Sequence, residues 1–326
     1  MASLEIPQCD RCHHPAMIHQ EYSGRTLCGK HLADSIRKKV AREMRKQVTL
    51  NSEGDTTIFV AISGGKDSAV LLDRIVEAFG PRPDVRIVAG CVDEGIEGYR
   101  APSLDCAREL AENLEVEFIT TSYPELGFEE MDEVVKKLPV IGDGLAPCSF
   151  CGVFRRQGIN QLARSVNADM VALGHNLDDM AQTIMMNMQK GDVERTIRLA
   201  PHTHAPLTGM SPRIVPLRWI PEQEVHAYAL HRKLPFAHGE CPHAPGALRW
   251  RHRSIIATLE ADVPGTRHGL VHMADQVKQL HLDSRGKNPS PPSNCPNCGE
   301  LTSGEVCKAC EMVAKLESYS EQVIDQ

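Results

Sequence analysis

The sequence predicts an α/β protein: a doubly wound parallel sheet with a small metal-binding module at each terminus. Three observations carry this. Short, continuously apolar runs alternate with stretches of helical spacing through the middle of the 326-residue chain, which is the pattern of strands buried on both faces and crossed by helices. C-x-x-C pairs sit near both ends. The segments SGGKDS, VDEGI and GHNLDD each follow an apolar run, where an open parallel sheet binds its ligands.

The elements follow in order. Residues 32–47 have the spacing of a basic amphipathic helix, and NSEGDT breaks the pattern. TIFVAIS (57–63) is a strand, 66–79 a helix, RIVAGCVDE a second strand and 103–114 a helix. VEFITTSY is a third strand, 128–138 and 152–166 are helices, DMVALGH is a fourth strand and 177–189 a helix. The crossovers should be right-handed. From Pro201 the chain becomes irregular and rich in Pro and His, with helices at 221–233 and 246–260. RGKNPSPPSN at 285–294 has the composition of a linker.

The expected domains are a zinc module (1–34), a basic linker helix (35–54), a catalytic domain (55–260), a helix and linker (261–290), a zinc ribbon (291–314) and a tail (315–326). No run approaches the roughly 18 consecutive apolar residues of a membrane helix, and the start lacks a basic segment followed by an apolar one. A soluble, cytoplasmic protein with no membrane partner is expected. The net charge is −7, but Lys and Arg outnumber Asp and Glu by 9 to 5 in residues 1–50 and 13 to 8 in 148–256, against 8 to 20 in 51–147. Basic segments flanking an acidic one could meet a polyanion, or could be solvated helix faces.

The twelve cysteines are grouped. Cys9 and Cys12, with Cys28 and His31, give C-x-x-C and C-x-x-H; Cys295, Cys298, Cys307 and Cys310 give C-x-x-C twice. Two such knuckles complete the tetrahedron of a closed structural zinc site, and disulfides would suit a secreted chain. Cys148 and Cys151, with the distant Cys241, have no second pair nearby. They could form a redox dithiol or hold part of a cluster. Cys91 and Cys106 read as core residues.

The segment Ala61, Ile62, Ser63, Gly64, Gly65, Lys66, Asp67 and Ser68 joins a strand to a helix. Such a turn aims backbone N–H groups and a positive helix end at an anion. The kinase-type G-x-x-x-x-G-K-[ST] pattern is absent, since Val60 stands where its first Gly would be. SGGKDS instead resembles the pyrophosphate loop of the N-type ATP pyrophosphatases, the PP-loop enzymes of the adenine nucleotide alpha hydrolase-like fold. The resemblance implies ATP cleavage between the α and β phosphates, with Asp67 serving Mg²⁺ or the helix start.

PCSFCGVFRRQ (147–157), GHNLDDMAQT (174–183), Cys241 and the paired zinc modules resemble the tRNA 2-thiouridine synthetases of the archaeal and eukaryotic cytosolic type. That resemblance implies adenylation of a uridine C2 oxygen, followed by sulfur attack at C2 and loss of AMP. It implies ATP contacts at Val92, Arg155, Gly174 and Asp179, with Asp179 orienting or deprotonating the nucleoside. His175 and Asp178 could equally be structural. It also favours a [4Fe-4S] cluster on Cys148, Cys151 and Cys241, with one iron open to sulfide, over persulfide chemistry at the same cysteines.

The implied partners are tRNA and a ubiquitin-like thiocarboxylated sulfur donor. Lys38, Lys39, Arg249 and Arg251 are candidates to grip phosphates. The cofactors are Mg²⁺, two Zn²⁺ and the cluster. The wobble uridine U34 is favoured over U54 of the T loop. A homodimer is considered because each terminal module needs a surface to dock on. The rivals are an amide- or lysine-ligating PP-loop enzyme, which has no use for the three cysteines, and a non-catalytic zinc-ribbon nucleic-acid-binding protein.

Overall fold

The computed structural model describes residues 6–52, 54–141, 145–202, 210–244, 248–284, 293–302 and 304–324. A hairpin of β1 (Ile18–Gln20) and β2 (Arg25–Leu27) leads into α1 (Gly29–Gln47). The alternating part runs β3 (Thr56–Ala61), α2 (Lys66–Phe79), β4 (Val85–Asp93), α3 (Arg100–Asn113) and β5 (Glu117–Ser122). It continues through α4 (Met131–Ile141), α5 (Pro147–Ser165), β6 (Met170–Leu173), α6 (Leu177–Gln189) and α7 (Val193–Ile197), then β7 (Arg213–Ile214) and α8 (Glu222–Arg232). Two helices, α9 (Leu248–Asp262) and α10 (Thr266–Ser284), precede a small hairpin of β8 (Ser293–Asn294) and β9 (Leu301–Thr302) and the last helix, α11 (Lys308–Ile324).

The strand order is β5-β4-β3-β6-β7, and every pairing is parallel. From β3 the chain builds outward through β4 and β5, then returns to place β6 on the other side. The order therefore reverses between β3 and β6, and the crevice at their carboxyl ends is the switch point at which open α/β sheets bind ligands.

Period-2 alternation divides the strands between two cores. Ile58, Val60, Ala89 and Cys91 pack with α1, α2 and α8 residues such as Ile36, Leu72 and Tyr228. Phe59, Val88 and Val92 pack with Phe150, Phe154 and Met131 on the opposite layer. Gly90 makes this possible, since a Cβ there would lie 2.2 Å from the Phe59 ring. A third cluster joins α6 to α10 through Leu177, Ile184 and Val271.

Three features depart from the sequence reading. α5 begins at Pro147, five residues before the expected start, because proline is pre-set for the first helical position, where its missing N–H costs nothing. β7, two residues long, was read as irregular chain; its pairing with β6 fixes it, and periodicity cannot register so short a strand. Residues assigned to a C-terminal tail continue α11, which packs on α4 and α5. The linker at 285–294 lies, apart from its last two residues, outside the described residues.

Both terminal modules dock within the chain. At the N-terminal end Tyr22 donates to Glu224 at 2.6 Å, and Lys39 reaches the same carboxylate at 3.3 Å. At the other end Arg164 grips Glu300 through both terminal nitrogens, at 2.9 and 2.6 Å. Among the described residues no helix is long and apolar enough to cross a membrane.

Candidate active site at the sheet switch point

The loop after β3 is held from several sides. Gly64 has φ +81°, and a Cβ there would lie 1.8 Å from the Ser103 carbonyl oxygen, so only glycine lets α3 approach this closely. The Ser63 N–H donates to Ser68 Oγ at 3.1 Å, and that hydroxyl donates to the Gly65 carbonyl at 2.9 Å. Arg100 donates to the Ser63 carbonyl at 2.8 Å. Ala61 ends β3, and Ile62 is buried beneath the loop.

Lys66, at the start of α2, lies 3.1 Å from Asp67 Oδ2 and 2.9 Å from Glu222 Oε1. Burial opposes its charge, yet Asp67 and Glu222 hold it above the ordinary lysine value. Burial lifts Asp67 above the usual carboxylate range despite Lys66 and the Asn176 amide, which donates to it at 2.8 Å. An anion with several negative charges could take Lys66 from these carboxylates and leave their oxygens for a divalent cation.

Across the crevice, Gly174 follows β6, and a Cβ there would lie 3.2 Å from the Ser68 N atom. Asn176 caps α6 in a reciprocal box with Asp179. Asp179 is thus partly committed to the helix start, while its Oδ1 lies 3.5 Å from Arg249. Arg249 also donates to Gln182 and Thr183 at 3.2 and 3.1 Å, which puts it at the site and not on an outlying face. Asp178 accepts from the Glu222 N–H at 2.7 Å and pairs with Arg267 at 2.6 Å, so each of its oxygens is engaged in a contact that ties α6 to α8 and α10.

Cys148 and Cys151 fall on the first turn of α5, one turn apart on one face. Cys241 comes from a stretch without regular secondary structure, tied by the Ala237 N–H to the Gly64 carbonyl at 2.9 Å and by His243 to Asp132 at 2.6 Å. The three thiols share one electrostatic neighbourhood. Partial burial first, and then its neighbour Cys151, push Cys148 above the ordinary thiol value, and burial with both other cysteines does the same to Cys241. All three are free of disulfides.

Arg155 Nη2 donates to Cys151 Sγ at 2.9 Å, and the Tyr123 hydroxyl lies 3.5 Å from that sulfur and 2.9 Å from the Cys151 carbonyl. Glu94, at the carboxyl end of β4, joins this group to the loop. Its side chain is 4% exposed, with Arg155 Nε at 2.7 Å on one oxygen. Arg100 Nε lies 2.8 Å from the other as an ion pair poorly aligned for a hydrogen bond. A continuous chain therefore runs from the Ser63 carbonyl through Arg100, Glu94 and Arg155 to Cys151. Val92 is buried alongside, its carbonyl taken by Arg100 at 2.7 Å.

The terminal clusters close as expected for single ions. The ligand atoms of Cys9, Cys12, Cys28 and His31 lie within 4.8 Å of one another, as do those of Cys295, Cys298, Cys307 and Cys310. In the first, burial is outweighed by hydrogen bonds from the backbone at Cys28 and Arg11 and from His31, which lower Cys9 to about 6. In the second, the Cys307 N–H donates to Cys295 Sγ at 3.3 Å, and backbone donors lower Cys295 to about 6. Both sets suit Zn²⁺. Cys148, Cys151 and Cys241 form no such tight group. Three free thiols with guanidinium and hydroxyl donors on one sulfur suit a polynuclear cluster, whose irons stand apart, better than one small ion.

Of the residues expected to grip phosphates, Lys38 and Arg251 are exposed. Lys39 is committed to Tyr22 and Glu224. Glu94, Arg100, Tyr123 and Glu222 were not singled out from the sequence. Glu94 lies inside the marked VDEGI stretch, and an acid where a buried strand meets a glycine was the available signal; the others announce themselves only through tertiary contacts.

A family model described as a PP-loop domain matches residues 36–257, and one described as the N-terminal LIM domain of the 2-thiouridine synthetase TtuA matches residues 8–33. The chain is 36% identical over 325 residues to the tRNA 2-thiolation protein NcsA of Haloferax volcanii, covering 95% of this chain and 99% of that protein. It is 35% identical over 312 residues to the cytoplasmic tRNA 2-thiolation protein 1 of Bos taurus, covering 95% and 88%. Among solved structures it resembles the U34-tRNA thiolase NcsA from Methanococcus maripaludis with its [4Fe-4S] cluster. That match has a TM-score of 0.79 and 30% identity and covers 96% of this chain and 97% of the other.

Proposed function

This chain belongs to the PP-loop tRNA 2-thiolation family, and from that membership we propose that it is an ATP-dependent tRNA-uridine 2-sulfurtransferase acting on wobble uridine U34. The observation that carries the reading is the meeting of Cys148, Cys151 and Cys241 with the PP-loop at one sheet edge, joined by the Arg100–Glu94–Arg155 chain. An amide- or lysine-ligating enzyme would need the loop but not the cysteines, and a passive zinc-ribbon protein would need neither brought together.

Uracil C2 is a poor electrophile and its oxygen a poor leaving group. In the proposed reaction the O2 atom attacks the α phosphorus of ATP and expels pyrophosphate, and the uracil N3 proton leaves to a base or water. Sulfur at the hydrosulfide level then attacks C2, its proton passes to N3, and AMP departs with the former O2. Ser63, Gly65 and Ser68 cradle the pyrophosphate at the amino end of α2. Lys66 moves from Asp67 and Glu222 to the phosphates, and those carboxylates are then placed to hold Mg²⁺. Arg249 faces the crevice from the side of Asp179, where negative charge develops at the α phosphate. Asp179 serves on this reading to orient Arg249 and the nucleoside.

Cys148, Cys151 and Cys241 would hold a [4Fe-4S] cluster. When bound, such a cluster supplies iron with a coordination position that the protein does not fill, and so a place to present sulfur. Arg155 and Tyr123 hold Cys151 in place and donate to its sulfur. Two Zn²⁺ would close the terminal modules, which brace α1 and α5. The sulfur donor is taken to be a ubiquitin-like thiocarboxylated protein, and the compartment the cytoplasm.

The test is an oxygen-free reaction of the full chain with ATP, sulfide and tRNA transcripts carrying either U34 or C34, scored for AMP, pyrophosphate and 2-thiouridine. The U34 transcript should yield all three and the C34 transcript no 2-thiouridine. Equal 2-thiouridine from both would move the target to U54. ATP cleavage with no thionucleoside in either would remove the sulfurtransferase reading.

A further inference from the structure

Arginines gather where the cysteine helix meets the sheet edge, and two of them have no ion-pair partner among the described residues. Arg156 follows Arg155 on α5, and its Nε donates to the Gly152 carbonyl at 2.9 Å, so the side chain runs toward the cysteine end of the helix. Arg213, on the edge strand β7, donates to Asn160 Oδ1 at 2.8 Å. Asn160 is one turn beyond Arg156 on the same face of α5. The acid nearest that face, Glu300, is taken by Arg164 and by Asn160 at 3.3 Å. Arg195, on α7, is exposed and pairs with Asp192 of its own turn at 3.0 Å.

These charges feel one another. Desolvation and then the like charge of Arg195 push Arg156 below the ordinary arginine value, and desolvation and then Arg156 do the same to Arg213. Arg156 directly follows Arg155, whose Nη2 donates to Cys151 Sγ, and its own bond to the Gly152 carbonyl turns it back toward the cysteine end of α5. Desolvation, and then Arg249 and Arg213, lower His175 beside the PP-loop. Crowded like charges raise the self-energy of the free protein and are relieved by a polyanion. Guanidinium is the group that meets phosphate oxygens two at a time. The charges form a row along a helix and an edge strand, which suits successive phosphates of a chain.

We propose that Arg156 and Arg213 form the phosphate grip that holds the RNA strand beside the reacting uridine. This rests on the thiolation reading and deepens it. It adds to the candidates Lys38, Lys39, Arg249 and Arg251, of which Lys39 is internally tied and Arg249 is held by Gln182 and Thr183, a grip at the rim of the cysteine cleft. The contacts are to backbone and carry no sequence information; they hold the strand so that the chosen base can enter.

The experiment is equilibrium binding of the full, zinc- and iron-replete chain to tRNA by filter retention, from about 50 to about 200 mM KCl. The variants are R156Q/R213Q, R156K/R213K and the control R82Q at the opposite end of the sheet. Each lost phosphate contact lowers the slope of log affinity against log salt by about 0.7 to 0.9, so the double Gln variant should lose about 1.4 to 1.8. The double Lys variant and R82Q should keep the parent slope. ATP binding equal to the parent's shows that the Gln variant is folded. The proposal is overturned if the Gln variant binds tRNA with the parent's affinity and slope, or if the Lys variant loses as much as the Gln variant. A parent that binds no tRNA at any salt would overturn the thiolation reading itself, and the grip with it.

Discussion

Removing Glu94 should damage this protein more than any other single carboxylate near the site. Its side chain is 4% exposed and stands between Arg100, 5% exposed, and Arg155, 44% exposed. Taking away one member of a buried ion pair leaves the other charge uncompensated, at about 3 to 5 kcal/mol. The Arg155 arm is open to water and adds only about 0 to 1 kcal/mol. Arg100 keeps the Ser63 and Val92 carbonyls at 2.8 and 2.7 Å, but these are neutral and do not replace a carboxylate. Glu94→Ala is therefore expected to lose about 3 to 5 kcal/mol. Glu94→Gln, which keeps an acceptor, should lose roughly 1.5 to 3 kcal/mol. Urea unfolding of the zinc-loaded chain, followed by tryptophan fluorescence, measures both. A loss below about 1 kcal/mol for Glu94→Ala, or an equal loss for the two variants, would refute the reasoning that the buried charge holds the bridge.

Gly64→Ala should abolish ATP binding in a nucleotide-binding assay, because φ +81° and the Ser103 carbonyl 1.8 Å from the new Cβ force the loop to move; near-parental affinity would contradict this. Lys66→Met should weaken ATP binding by tenfold or more in the same assay, and because the lysine is only 21% exposed and is shared by Asp67 and Glu222, it should also lower urea stability by roughly 1 to 3 kcal/mol; parental affinity would contradict this. Cys9 and Cys295 are lowered from 9.0 to about 6. Their own stabilising contribution is complete above the unfolded value and lost as pH falls through about 6, and since zinc holds all its cysteines as thiolates, zinc retention should decline as pH falls. A chromogenic chelator reads the release, and retention unchanged down to about pH 5 would contradict it.

The sheet and the phosphate loop were legible because their signals are local: Ile58 to Val60 and Val88 to Val92 are apolar without interruption, and Gly64 marks a backbone conformation that few residues adopt. The terminal ligand sets were legible for the same reason, since two-residue spacing puts both thiols of a knuckle on one ion. What was missed is tertiary. The start of α5 was missed because the helical reading began at residue 152, past the C-x-x-C, when proline at the start of the helix is what sets Cys148 and Cys151 on its first turns. β7 exists through its pairing with β6. Lys39 looked like one more charge on a basic helix until Glu224, distant in sequence, proved to be its partner. The Glu94 bridge depends on three elements that only the fold brings together.

The most direct measurement is iron, acid-labile sulfide and thiolation activity in one anaerobic preparation, with the parent compared to a Cys148→Ala, Cys151→Ala, Cys241→Ala variant. About four irons per chain and 2-thiouridine at U34 in the parent, with neither in the variant and zinc retained in both, is the result expected of three cysteines holding one cluster. Two zincs, no iron and undiminished 2-thiouridine formation in both proteins would contradict the central claim that these three cysteines carry the sulfur chemistry.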